Sequence, residues 1–129
     1  MAKGDIVKLK FHDFTDPATG VRMTRLTPTD VTCHRNYFYQ KCFTNDGNKL
    51  LFGGLFDNDS WNCYLLDLKT QTARQLTDGK GKVDNTFGNF LSPDDKYLYY
   101  VKGGRELRRV LLDSLEEQVV YTVPAGYKG

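Results

Sequence analysis

The residues best equipped for chemistry stand together early in the chain. The run Thr32-Cys33-His34-Arg35-Asn36-Tyr37-Phe38-Tyr39-Gln40-Lys41-Cys42-Phe43 sets an imidazole, a guanidinium, an amide and phenols into an otherwise apolar stretch. Arg35 suits a carboxylate through a planar two-point contact. Asn36, and Asn85 and Thr86 in the later run Asp84-Asn85-Thr86-Phe87-Gly88-Asn89-Phe90, can bond sugar hydroxyls, and Tyr37 or Tyr39 offers an aromatic face. Such groups are equipped to contact an acidic, hydroxyl-rich ligand, without by themselves requiring one. Taken singly, each has a plainer explanation, because an Arg or His beside a strand is more often a packing residue, and His34 fits that description as well as a ligand contact. The substrate-binding candidates are therefore His34, Arg35, Asn36, Tyr37, Asn85 and Thr86.

Other chemistries find little support. There is no phosphate-cradling glycine pattern, no nucleophile elbow and no HExxH. The two histidines, His12 and His34, fall on different elements, with His12 expected in solvent, so the chain by itself is not expected to build a histidine-rich metal site. Three cysteines, Cys33, Cys42 and Cys63, are an odd number without a close pair, which suits buried thiols better than a disulfide framework or a zinc knuckle. With 18 Lys and Arg against 16 Asp and Glu, the net charge of +2 gives no field to attract nucleic acid or an anionic membrane, and single-stranded RNA binding is disfavoured on that ground. Residues 1–10 alternate charged and apolar residues and resemble neither a signal peptide nor a membrane span, so a cytoplasmic protein is expected.

The elements that must position these residues are read from a repeat. Thr44-Asn45-Asp46-Gly47 precedes Leu50-Leu51-Phe52, and Ser92-Pro93-Asp94-Asp95, 48 positions after Thr44, precedes Leu98-Tyr99-Tyr100. Each is a polar turn entering an apolar strand, the mark of a hairpin. Tyr64-Leu65-Leu66-Asp67-Leu68, a turn at 69–71 and a strand at 72–77 make a second hairpin, matched by strands at 107–112 and 117–123. Four short strands recurring every 44 to 48 residues fit the propeller blade, whose period is roughly 40 to 50 residues. Strands at 6–14 and 21–27, joined by Asp16-Pro17-Ala18-Thr19-Gly20, read as a half blade. Gly53-Gly54 and Gly103-Gly104 are placed at strand ends, at a bend or bulge.

The expected architecture is thus all-β: a β-propeller fragment of about two and a half four-stranded antiparallel blades. Residues 1–30 form a half blade that completes the last blade of a ring, 31–80 the first blade and 81–129 the second. A closed propeller takes at least about four blades, so the arc is expected to be open at both ends and to need further C-terminal blades as partners. An antiparallel sandwich or small barrel is the alternative, but it does not require the long-period repeat.

The motifs are more specific than blade geometry demands. Arg25-Leu26-Thr27-Pro28, the run from Asp30 through Cys33-His34-Arg35-Asn36-Tyr37-Phe38-Tyr39-Gln40-Lys41 to Thr44, Lys49-Leu50-Leu51-Phe52-Gly53-Gly54, Asp84-Asn85-Thr86-Phe87-Gly88 and Leu115-Glu116-Glu117-Gln118-Val119 resemble the oligogalacturonate lyases over nearly the whole chain. The resemblance implies a seven-bladed propeller of bacterial pectin breakdown. It also implies cytoplasmic cleavage of short oligogalacturonates, the unsaturated digalacturonate included, by β-elimination to 5-keto-4-deoxyuronate. The implied manganese site, a cluster of His with a Gln, and a further His as base have no matching position here. The resemblance therefore assigns this chain part of the substrate wall, no catalytic residue, no metal ligand and no activity alone. A noncatalytic propeller module that binds a protein or glycan is the alternative, since fold does not settle function. The concentration of His34, Arg35 and Asn36 argues against it.

Overall fold

The computed structural model describes residues 2–35, 39–57, 60–79 and 88–127, with Asp57 as backbone only. Its elements are β1 (Ile6–Lys8), β2 (His12–Thr15), β3 (Arg22–Arg25), β4 (Cys33–Arg35), β5 (Lys49–Asp57), β6 (Ser60–Asp67), β7 (Thr72–Gln75), β8 (Phe90–Leu91), β9 (Tyr97–Lys102), β10 (Glu106–Leu111) and β11 (Glu117–Thr122). All pairings among them are antiparallel, in sheets ordered β1-β7-β6-β5-β4, β11-β10-β9-β8 and β2-β3. Strands β4 to β7 and β8 to β11 are two blades in chain order, and the fold is a propeller fragment.

The repeat holds down to single atoms. In the first blade Thr44 Oγ1 accepts from Lys49 N, and Asp46 Oδ1 accepts from Asn48 N and from the Thr44 hydroxyl. In the second, Ser92 Oγ accepts from Tyr97 N, and Asp94 Oδ1 accepts from Lys96 N and from the Ser92 hydroxyl. Side chains that satisfy the local backbone make the turn before the strand has a partner. Gly47 (φ 72°) and Asp95 (φ 62°) occupy the same left-handed position. The later turns agree as well: Gln71 (φ 58°) donates its N–H to Asp67 O as Leu115 (φ 63°) donates to Leu111 O.

Two apolar layers flank the first blade. Between the blades lie Leu51, Cys63, Leu76, Leu91, Leu98, Tyr100 and Val110. On the other face Phe52, Tyr64, Leu66 and Ala73 pack with Leu9, and Val7, Phe11 and Leu26 close over them. Fully burying one such side chain contributes about 1.5–3 kcal/mol. The N-terminal segment thereby covers the face of the first blade that the sequence leaves open, so the arc is uncovered at the second blade.

Two expectations are corrected. The strand expected over 6–14 breaks at Leu9: Ile6–Lys8 run beside β7, while His12–Thr15 pair with β3. The break follows from burial of Leu9, whose N–H reaches Gln71 O at 2.7 Å while Phe11 N–H reaches Gln71 Oε1 at 3.1 Å. Gly53 and Gly54 lie inside β5, paired with β4 and β6, and the register shifts between Gly54 and Asp57. A Cβ on Gly54 would stand 2.8 Å from Phe56 Cε2, so glycine here lets the Phe56 ring fold back against Tyr64. Gly103 and Gly104, both at positive φ, do form the β9–β10 turn.

Candidate functional site

Antiparallel order sorts the connections into two rims. Strands β4 and β6 begin, and β5 and β7 end, at one rim, which also receives the connection from β7 to β8. The turns at 44–47, 68–71, 92–95 and 112–115 lie at the other. There a cleft of about 430 Å³ is lined by Asp46, Asp67, Asp95 and Asp113, with Lys49 and Arg74 among them. Asp46 is held below the usual carboxylate range first by the Asn48 N–H, Asp67 first by the Thr70 N–H, and Asp95 first by Lys41. The cleft itself is lined by more carboxylates than cations, with Lys41, Lys69 and Lys96 standing beside them.

His34 and Arg35 sit at the first rim, on the edge strand β4. Register places His34 opposite Gly53 and Arg35 opposite Phe52, so the two neighbours leave β4 on opposite faces of the sheet. Half-buried His34 packs on Trp61 with ring centroids 5.0 Å apart, and its Nδ1 lies 3.2 Å from Arg35 O. Arg35 is exposed, beside a cavity of about 190 Å³ lined by Leu26, Thr27, Cys33 and Phe52, and no described residue pairs with its guanidinium. Cys33 on the same face bonds Thr27, but burial pushes its thiol up to about 11, which makes it a packing residue rather than a nucleophile. Asn36, Tyr37, Asn85 and Thr86 lie outside the described residues.

Lys41, which belongs to the same run, has a different task. Its ammonium reaches Asp95 Oδ1 (2.7 Å), Asn45 Oδ1 (2.6 Å), Pro93 O (3.2 Å) and Ser92 O (3.3 Å), joining the two blades at the acidic rim. Half-buried Glu117 gathers Arg108 (2.5 Å), Lys3 (3.3 Å) and Tyr100. Burial raises the Glu117 carboxyl, but these partners outweigh burial and hold it below its ordinary value. Burial first, then Glu117, pushes the Tyr100 phenol up. Sequence reasoning missed Trp61; its signal was being the chain's single tryptophan, placed just after the turn between the second and third strands of a blade.

Among the described residues no three His, Cys, Asp or Glu side chains come together as metal ligands. The donor set of the described residues does not fit a manganese site.

A family model described as oligogalacturonate lyase matches residues 1–129. An oligogalacturonide lyase of Pectobacterium atrosepticum and an oligogalacturonate lyase of Dickeya dadantii are each 63% identical over 129 residues, covering 100% of this chain and 32% of theirs. A solved oligogalacturonate lyase in complex with manganese superposes with TM-score 0.95 at 65% identity, over 100% of this chain and 34% of that one. The oligogalacturonate lyase of Vibrio parahaemolyticus gives TM-score 0.94 at 57% identity, over 99% and 33%. The chain thus spans about a third of the length of the curated relatives it matches. With one family model matched from its first residue to its last, the chain belongs to the oligogalacturonate lyase family.

Proposed function

We propose that this chain supplies part of the substrate wall of an enzyme that cleaves short oligogalacturonates, unsaturated digalacturonate included, by β-elimination to 5-keto-4-deoxyuronate. The observation that carries the reading is Arg35, an exposed guanidinium without a described partner, on an edge strand at the rim away from the acidic cleft. Removal of the C5 proton, α to the carboxylate, builds negative charge on that group as O4 departs. A guanidinium that already holds the carboxylate through two parallel hydrogen bonds stabilises that charge without reorganising. Arg35 is assigned that contact, or the same contact to a neighbouring sugar. His34, Asn36, Tyr37, Asn85 and Thr86 are assigned to orienting the sugar.

The base, the manganese and the remaining ligands belong to blades beyond those formed here, so the chain alone does not turn over substrate. Those blades also cover the far face of the second blade, and β2 and β3 complete the last blade of the closed ring. The reaction is placed in the cytoplasm. The test is Arg35→Ala and Arg35→Lys in the assembled enzyme with digalacturonate as substrate. Loss of one charge-assisted contact is expected to lower kcat/KM about 10- to 100-fold, with partial rescue by Lys. Unchanged kinetics in both variants would remove Arg35 from the site.

A further inference from the structure

The half-buried pair His34 and Trp61 stands outside both apolar layers, at the rim end of the first-blade face that carries Cys63 and turns toward the second blade. Both start strands at the same rim, His34 on β4 and Trp61 on β6. Across the sheet His34 faces Gly53, which in turn faces Cys63, two residues from Trp61 and on the same face. With no side chain on Gly53, the imidazole can lean across β5 and meet the indole at 5.0 Å with a tilt of 41°. The opposite rim is occupied by the Lys41 joint and four aspartates. The rim of His34 and Trp61 therefore offers aromatic surface, while Arg35, whose guanidinium no described residue pairs, leaves β4 on the other face of the sheet.

We propose that Trp61, braced by His34, is a stacking platform for one pyranose ring of the substrate. This deepens, and rests on, the substrate-wall reading above. A galacturonate ring carries its C3, C4 and C5 hydrogens on one side because the 4-hydroxyl is axial. That side is a continuous apolar patch, and an indole covers it while leaving the hydroxyls and the carboxylate at the ring edge for polar partners. His34 limits how far the indole can turn, so the platform is ordered before the sugar arrives, which lowers the entropic cost of binding. In this arrangement His34 acts through Trp61 and is a positioning residue. Arg35, one residue further along β4 but on the other face of the sheet, takes the carboxylate of the neighbouring sugar. Together they recognise an acidic oligosaccharide, one ring stacked and the next held by its charge.

The single tryptophan of this chain makes the test site-specific. The 129-residue chain, labelled with fluorotryptophan, is titrated with digalacturonate and followed by fluorine NMR, while saturation transfer from protein to sugar reports binding anywhere on the chain. The expected result is a saturable shift of the Trp61 resonance that tracks the saturation-transfer curve, with the strongest transfer to H3, H4 and H5. Trp61→Ala is expected to weaken binding about 10-fold, Trp61→Phe to restore most of it, and His34→Ala to broaden the Trp61 signal. Saturation transfer with an unmoved Trp61 resonance, or a Trp61→Ala variant of normal affinity, overturns the platform and leaves the Arg35 reading standing. If a folded chain gives no transfer at all, the substrate-wall reading falls and the platform with it.

Discussion

Lys41 Nζ lies 2.7 Å from Asp95 Oδ1, and Asn45 N donates to the other oxygen of the same carboxylate at 2.8 Å. One aspartate of the second blade thus closes two bonds onto the first. Leu91 N–H adds a main-chain bond to Lys41 O at 2.9 Å, and Arg74 bonds Leu112 O at 3.1 Å. The blades are joined by polar contacts at the acidic rim and by apolar packing beneath them.

Lys41→Met is expected to destabilise the chain by about 1–2 kcal/mol, a range kept modest because both partners are about a quarter exposed. A double-mutant cycle with Asp95→Asn by urea denaturation checks it. The expected coupling is about 0.5–1 kcal/mol, and additive effects would show that the joint is held by packing alone.

Stability is expected to be flat from neutral pH down to about pH 5 and to fall below about pH 4. Asp46, Asp67, Asp94 and Asp95 all have folded-state values below the ordinary one, held there first by the Asn48 N–H, the Thr70 N–H, the Ser92 hydroxyl and Lys41. The unfolded chain therefore takes up protons first as the pH drops. The contribution of these groups is complete above the unfolded value near about 4 and disappears as the pH falls through the depressed folded values. Thermal melts across this range check it, and a Tm that climbs on acidification would contradict the assignment.

Gly54→Ala is expected to cost about 1–3 kcal/mol, since the new Cβ would meet the Phe56 ring at 2.8 Å and Cys33 Sγ at 3.5 Å. Truncating the obstacle distinguishes steric conflict from lost flexibility. In a Phe56→Ala background the extra cost of Gly54→Ala should largely vanish. If it persists unchanged, the conflict is with the backbone.

The far face of the second blade carries Phe90 stacked on Tyr99 at 5.3 Å, Arg109 4.5 Å above the Tyr97 ring, and exposed Val101 and Tyr121. The face of the first blade is covered by the N-terminal segment, so self-association of the 129-residue chain is expected through this one surface, favouring dimers over longer assemblies. Sedimentation at several concentrations should show it, and Val101→Lys should reduce it without lowering Tm. A compact monomer at every concentration would contradict the uncovered face.

The turns at 44–47 and 92–95, the alternation of apolar residues between them and the Cys33-to-Phe43 run were legible from sequence because they rest on neighbours within five residues. Ser, Thr and Asp beside their own backbone make the same bonds wherever the chain goes next. What tertiary structure decided depends on partners far apart. Burial against Phe52 and Tyr64 breaks the N-terminal strand at Leu9, and a pleat only becomes two faces once β4 has found its register on β5. That register separates His34 from Arg35, brings His34 to Trp61 and leaves Lys41, 54 positions before Asp95, to hold the blades rather than a ligand. Residue types named the chemistry available to this chain, but side-chain direction, which alternates with every residue of a strand, assigned each group its place.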